Sequence, residues 1–283
     1  MSTILPGPVV SADWLAEHQQ QVRIVDSRWS IPTGPRHDDY LAAHIPGAVF
    51  ANLDTDASAP AGSLGRHPLP TPEEFAAACG RLGIDGPVVV YDDCNAAVAA
   101  RLWWLLDCVG IPAAVLEGGI QAWSTTRETV SGEEKATPVQ RPVVPWPADR
   151  FLVMEEVLPA IKEGAGLIDA RSAERFRGEE NPIDRIAGHI PGSYSRPWQT
   201  NLSDGKFLPA DQLRKQLLEV PGAGDQPLIC SCGSGVTACH NILATRLAGL
   251  PTPRLFTGSW SQWTYADGQP VDTGEAGSSP GAS

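Results

Sequence analysis

The fold class this sequence predicts is α/β, as two copies of one domain, and three observations predict it. Four blocks recur in the same order in the two halves. Arg23-Ile24-Val25-Asp26-Ser27-Arg28 pairs with Gly166-Leu167-Ile168-Asp169-Ala170-Arg171. Tyr40 to Ala48, containing His44-Ile45-Pro46-Gly47, pairs with Ile186 to Ser193, containing His189-Ile190-Pro191-Gly192. Pro87 to Asp92 pairs with Pro227 to Cys232, and Glu117 to Trp123 with Thr257 to Trp263. Such self-similarity marks a duplication. Within each half, short β-branched runs alternate with helical stretches, which predicts a mostly parallel sheet with helices on both faces. The chain has 283 residues, long enough for two domains with separate cores.

Taken in order, the first half predicts helices over 12–20, 72–82 and 96–110, and the second over 154–163, 210–218 and 236–249. The start of the second helix is the clearest. Thr71 supplies a capping hydroxyl, Pro72 stands at the first helical position, and Glu73 and Glu74 load the first turn with acid. Ser124 to Asp149 is polar and carries four prolines, so it reads as an extended linker. The expected division is therefore 1–123, a linker over 124–149, a second domain over 150–272, and a Gly/Ser-rich tail over 273–283 predicted to be disordered.

Composition narrows the partners. A net charge of −12 argues against nucleic acid and anionic membrane. No window approaches the apolar length of a membrane-spanning helix, and the N-terminus lacks a basic stretch followed by an apolar core. Six unevenly spaced cysteines do not read as a disulfide framework, so a reducing cytoplasm is expected.

The chemistry concentrates at Cys232-Gly233-Ser234-Gly235-Val236-Thr237-Ala238, entered from the strand ending in Ile229-Cys230 and leading into a helix. Strand, tight loop and helix start turn successive backbone N–H groups inward, at the positive end of a helix dipole. A thiol at the first position is pushed toward thiolate, the nucleophilic form. Cys230, Cys239, Cys79 and Cys108 are read as small buried hydrophobes. Cys230, Cys232, Cys239 and His240 lie close together but match no paired zinc spacing, and neither metal nor cofactor is expected. A Cys-x5-Arg phosphatase would need an arginine where Ala238 stands.

The seven residues CGSGVTA resemble the active-site loop of the 3-mercaptopyruvate sulfurtransferases, within the rhodanese superfamily. The resemblance runs from about Val22 to Trp263 and implies two tandem rhodanese-like domains. The thiosulfate-using members carry Arg-Lys where this chain has Gly233-Ser234, which favours mercaptopyruvate as donor. Resemblance further implies that Cys232 carries a persulfide held by the amides of Gly233, Ser234, Gly235, Val236 and Thr237. Arg175, in Arg175-Phe176-Arg177-Gly178, and Arg185 are the implied substrate-binding pair, although the spacing to Arg185 is one residue longer than the family's. Asp54 and His67, from segments of the first half, are the implied partners of Ser234 in proton transfer. The residues just before His67 depart from the usual pattern.

The first half is expected to be silent, because Asp92 stands where the second half has Cys232, and its loop is two residues longer. Cys94, two residues on, reads as an ordinary loop thiol, with a redox role as the alternative. His44 and His189, present in both halves, are expected to be structural. The implied partners are a small sulfur donor and a thiophilic acceptor such as cyanide, thioredoxin or another thiol, with the chain acting as a monomer. A thiosulfate-preferring enzyme and a persulfide carrier that docks on a partner protein are the alternative readings.

Overall fold

The structure, a computed structural model, describes residues 4–224 and 228–275. The chain divides into two compact units: residues up to Ala59 together with Leu69–Pro147, and Pro60–Pro68 together with the residues from Ala148 on. The Pro60–Pro68 strap therefore belongs with the second unit. The predicted tail beyond residue 275 lies outside the described residues.

The first unit holds five parallel strands: β1 (Val9–Val10), β2 (Arg23–Asp26), β3 (Ala48–Phe50), β4 (Val88–Tyr91) and β5 (Ala113–Leu116), in the order β1-β5-β4-β2-β3. The second unit repeats this with β6 (Phe151–Leu152), β7 (Leu167–Asp169), β8 (Ser193–Ser195), β9 (Ile229–Ser231) and β10 (Arg254–Phe256), in the order β8-β7-β9-β10-β6. Read from the opposite edge, the two orders are identical. The duplication in sequence is thus a duplication in topology. The central strands are continuous apolar runs because parallel sheets are covered on both faces. All four residues of β4 are fully buried.

The helices are α1 (Ala12–His18), α2 (His37–Ala42), α3 (Leu53–Asp56), α4 (Pro72–Arg81), α5 (Ala99–Cys108), α6 (Gly119–Ser124), α7 (Met154–Lys162), α8 (Ala173–Arg177), α9 (Ala210–Leu218), α10 (Ala238–Leu247) and α11 (Ser259–Tyr265). At α4 the Thr71 hydroxyl accepts from the Glu74 N–H, and the Glu74 carboxylate accepts from the Thr71 N–H. The two helices that follow β4 and β9 start later than the sequence predicts, at Ala99 rather than Ala96 and at Ala238 rather than Val236. In both units the intervening residues form a loop around a side chain, described below. Among the described residues no helix is long and apolar enough to cross a membrane.

One device recurs at the carboxyl ends of β2 and β7. Arg28 forks onto the Asp26 carboxylate at 2.7–3.1 Å and donates to the Ala43 carbonyl at 2.7 Å. Arg171 does the same with Asp169, at 2.7–3.1 Å, and with the Gly188 carbonyl at 2.8 Å. Each pair is buried, so removing one partner would strand a charge at a cost of about 3–5 kcal/mol. The pairs fasten the strand end to the turn carrying His-Ile-Pro-Gly. In those turns His44 Nδ1 meets the Tyr40 carbonyl at 2.9 Å and His189 Nδ1 the Phe176 carbonyl at 2.8 Å. His44 thus ties its turn to α2 and His189 ties its turn to α8. The predicted linker as far as Pro147 belongs to the first unit, where Val139 N–H donates to the Gly80 carbonyl and the Trp146 indole to that of Pro70.

Candidate active site

Cys232 follows β9 directly, 2 % exposed, and the loop after it folds back over its own sulfur. The backbone N–H groups of Ser234 and Gly235 point at Sγ, at 3.4 and 3.1 Å. That curl requires Gly235 to take φ +80°, a left-handed conformation that costs glycine least. Val236 and Thr237 carry the chain into α10, their carbonyls accepting from Cys239 and His240. Two sulfur-directed donors therefore sit where α10 begins, where its dipole also favours negative charge.

The start of α11 clamps this loop from the backbone. Trp260 N–H donates to the Cys232 carbonyl at 3.0 Å and Ser261 N–H to the Gly233 carbonyl at 2.9 Å. The Ser259 hydroxyl accepts the Cys232 N–H at 3.1 Å and donates to the Phe256 carbonyl. Ser259 adopts φ +50°, an unusual conformation for a side-chain-bearing residue and one that aims its hydroxyl at the nucleophile's amide. Trp260 and Trp263 are core residues, as their burial shows. The two serines beside them were not singled out in the sequence, where the block reads only as an apolar repeat.

The Pro60–Pro68 strap brings further groups to the loop. Gly65 lies so close to the Gly258 carbonyl and the Ser261 hydroxyl that a Cβ there would stand 2.9 Å from each. Arg66 N–H donates to the Ser261 hydroxyl at 3.1 Å. This docking sets His67 Nδ1 at 2.8 Å from Ser234 Oγ, in a buried hydrogen bond. Ser234 and His67, named from the sequence, are thus joined. Asp54 lies in the first unit, where its carboxylate accepts the Trp29 indole N–H at 3.0 Å.

The arginines differ from expectation. Arg175, on α8, reaches the loop: a Cβ on Gly233 would lie 3.3 Å from its Nη2. Arg185 does not join it. Its Nη1 donates to the Tyr265 carbonyl at 3.0 Å and its guanidinium lies over the Tyr265 ring at 5.8 Å. In this segment Asp184 turns inward, while Arg185 is held outside by Tyr265. Asp184, its side chain 1 % exposed, accepts from Arg175 Nη2 and Arg66 Nη1, each at 2.5 Å. The second guanidinium at the loop is that of Arg66, whose Nη2 would be 2.7 Å from a Gly233 Cβ. Sequence reasoning missed Arg66. The only signal was the departure from pattern before His67.

The equivalent loop of the first unit is built the same way and filled differently. Asp92 takes the cysteine's place, and its carboxylate accepts four backbone N–H groups: Cys94 and Ala96 on Oδ1, Val98 and Ala99 on Oδ2, at 2.9–3.1 Å. The two extra residues let the chain wrap the carboxylate, with Asn95 and Ala96 at φ +56° and +71°. Ile120 N–H donates to the Asp92 carbonyl as Trp260 does to that of Cys232. The cradle that faces a sulfur in one unit holds a fixed carboxylate in the other.

Burial pushes the thiols of Cys94 and Cys230 well up, with the Asp92 charge adding to the effect at Cys94, and pushes that of Cys79 up to about 12. These cysteines stay protonated near neutral pH and are poor nucleophiles. None of the six forms a disulfide. Among the described residues no group of three or more His, Cys, Asp or Glu is placed to hold a metal ion.

Comparison with known proteins identifies the family. The family model of the rhodanese-like domain matches twice, over residues 11–126 and 154–266. A Pseudomonas aeruginosa relative named "Probable 3-mercaptopyruvate sulfurtransferase" is 44% identical over 247 residues, covering 83% of this chain and 86% of its own. A Mycobacterium tuberculosis relative, 38% identical over 90% of this chain and 92% of its own, is named for thiosulfate instead. The solved 3-mercaptopyruvate sulfurtransferase of Escherichia coli superposes with a TM-score of 0.77 at 33% identity, over 90% of this chain and 99% of that one. The chain belongs to the rhodanese-like family, carries two such domains in tandem, and is a sulfurtransferase.

Proposed function

We propose that the chain takes the thiol sulfur of 3-mercaptopyruvate as the sulfane sulfur of a persulfide on Cys232 and passes it to a thiophilic acceptor. The observation that carries this reading is the pair of N–H groups aimed at Cys232 Sγ, beside a hydrogen-bonded Ser234–His67 couple. The Cys232 thiolate attacks the donor's sulfur, and the new S–S bond forms as the donor's C–S bond breaks. The electron pair leaves as the enolate of pyruvate, which takes a proton at carbon from the Ser234–His67 couple. The persulfide gives up its own proton, so the half-reaction balances with no net proton change. The amides of Ser234 and Gly235 hold the outer charge, with Gly233, Val236 and Thr237 completing the loop. Cyanide or a thiol such as thioredoxin then takes the outer sulfur and restores the thiolate, a covalent scheme with ping-pong kinetics.

Arg175, flanking Gly233, is proposed to hold the donor's carboxylate. A part for Asp54 in the proton path rests on the family resemblance alone. The family names leave donor choice between mercaptopyruvate and thiosulfate, and an uncharged Gly233-Ser234 pair in the loop favours the former. A monomer in the reducing cytoplasm completes the proposal, supported there by six cysteines without a disulfide. The test is single turnover without acceptor. Incubation with 3-mercaptopyruvate should release one equivalent of pyruvate and add the mass of one sulfur atom to the peptide containing Cys232. Pyruvate release with no added sulfur on that peptide would overturn the scheme.

A further inference from the structure

Arg66 stands beside the reactive loop in a setting that the function above leaves unused. Its Nη1 is held by Asp184 Oδ1 at 2.5 Å, while its Nη2 faces Gly233, the residue next to the nucleophile. Arg175 is arranged alike, with Nη2 on Asp184 Oδ2 at 2.5 Å and both terminal nitrogens within 4 Å of where a Gly233 Cβ would stand. One buried carboxylate thus bridges two guanidinium groups and turns both toward the same point. Their donors are not exhausted. Arg175 Nε is buried with no hydrogen-bond partner, and Asp184 is the one side chain that the Arg66 guanidinium engages among the described residues.

The local charge is also unbalanced. Arg171 lies behind the bridge, its Nη1 3.9 Å from Asp184 Oδ2, and is itself paired with Asp169. Three guanidinium groups face two carboxylates, which leaves one positive charge beside the loop. Its complement is a monoanion with two oxygens, and the geometry of two forks converging on one point suits a carboxylate.

We propose that Arg66 binds the carboxylate of the sulfur donor together with Arg175, and that Asp184 positions both. The inference rests on the sulfur-transfer reading above and adds a residue to it. A bridging acid explains how the two guanidinium groups come to lie side by side, since they repel each other unless an anion lies between them. It also predicts selectivity, because a donor without a carboxylate gains nothing from Arg66.

The test compares 3-mercaptopyruvate with 1-mercaptopropan-2-one, the same thiol and ketone without the carboxylate, on wild type, Arg66→Gln and Arg66→Lys. The expected result is a rise of about 10- to 100-fold in KM for mercaptopyruvate in Arg66→Gln, the size of a lost hydrogen bond to a charged group. Activity toward mercaptopropanone should be unchanged, and Arg66→Lys should recover part of the loss. Equal losses with both donors would mean that Arg66 only supports His67, its neighbour in the strap, and would overturn the proposal; so would no loss with either. Titration of each protein with pyruvate gives a readout independent of turnover. Wild type should bind it more tightly than Arg66→Gln, and equal affinities would count against the carboxylate role even if sulfur transfer itself failed.

Discussion

Replacing Asp92 should damage the first unit and leave the chemistry of the second alone. The Asp92 carboxylate is 1 % exposed and accepts four backbone N–H groups, two on each oxygen. Asp92→Ala would strand all four. A stranded buried donor costs about 1–3 kcal/mol, so even the lower figure gives about 4 kcal/mol for the set. Water entering the vacated space would relieve part of this, and the strained backbone at Asn95 and Ala96 would relax in the same direction. Asp92→Asn keeps the shape but turns an amide NH2 toward two of the four donors, so roughly half the penalty, ~2 kcal/mol, is expected. The assay is urea denaturation followed by circular dichroism, comparing midpoints at constant slope. Sulfur transfer assayed below the unfolding transition should be unchanged in both variants. If Asp92→Ala loses less than about 1 kcal/mol, the carboxylate is not what holds this loop, and the parallel between the two cradles fails.

Three further outcomes follow from the site. Ser234→Ala and His67→Gln should each lower kcat on the order of 10²-fold, as loss of a proton relay does. The double variant should be little worse than either, since the two act through one hydrogen bond; additive losses would refute the couple. Gly235→Ala places a Cβ at φ +80°, at a conformational cost of about 1–2 kcal/mol. Its persulfide should lose sulfur to solvent thiols faster than that of wild type, measured by mass spectrometry after removal of donor. Alkylation by iodoacetamide near neutral pH should spare Cys79, Cys94 and Cys230. Burial raises their pKa values, so the thiolate fraction is small there and grows only as pH climbs toward those values, about 12 for Cys79. Modification of any of the three ahead of Cys232, read by peptide mapping, would contradict the burial argument.

What the sequence disclosed, and what it did not, divides along a physical line. The strands and long helices were legible because their apolar periodicity is local, and the duplication was legible because four blocks keep their order. Helix α9 was located to the residue. The starts of α5 and α10 were placed too early, because Ala96 and Val236 extend the helical pattern while their backbones are committed to wrapping Asp92 and the Cys232 sulfur. Cys232, Ser234 and His67 could be named from motif, and the structure brings the last two within a hydrogen bond.

Arg66 could not be found by pattern. It sits in a strap with no periodicity, and its meaning comes from contacts with Asp184 and Ser261, 118 and 195 residues away. Arg185 was misplaced for a simpler reason. Asp184 and Arg185 are adjacent, and a spacing argument cannot decide which of two neighbouring side chains faces the loop. Ser259 and Ser261 were hidden because their contribution is through backbone and hydroxyl contacts that any small residue's name fails to advertise.

The central claim is that Cys232 accepts the sulfur. Its most direct test is steady-state transfer to cyanide, with 3-mercaptopyruvate and thiosulfate compared on wild type and Cys232→Ser. The account predicts that wild type uses mercaptopyruvate in clear preference and that Cys232→Ser, folded and with an unchanged melting temperature, forms no thiocyanate from either donor. Thiocyanate formation by Cys232→Ser at the wild-type rate would contradict it, whichever donor supplied the sulfur.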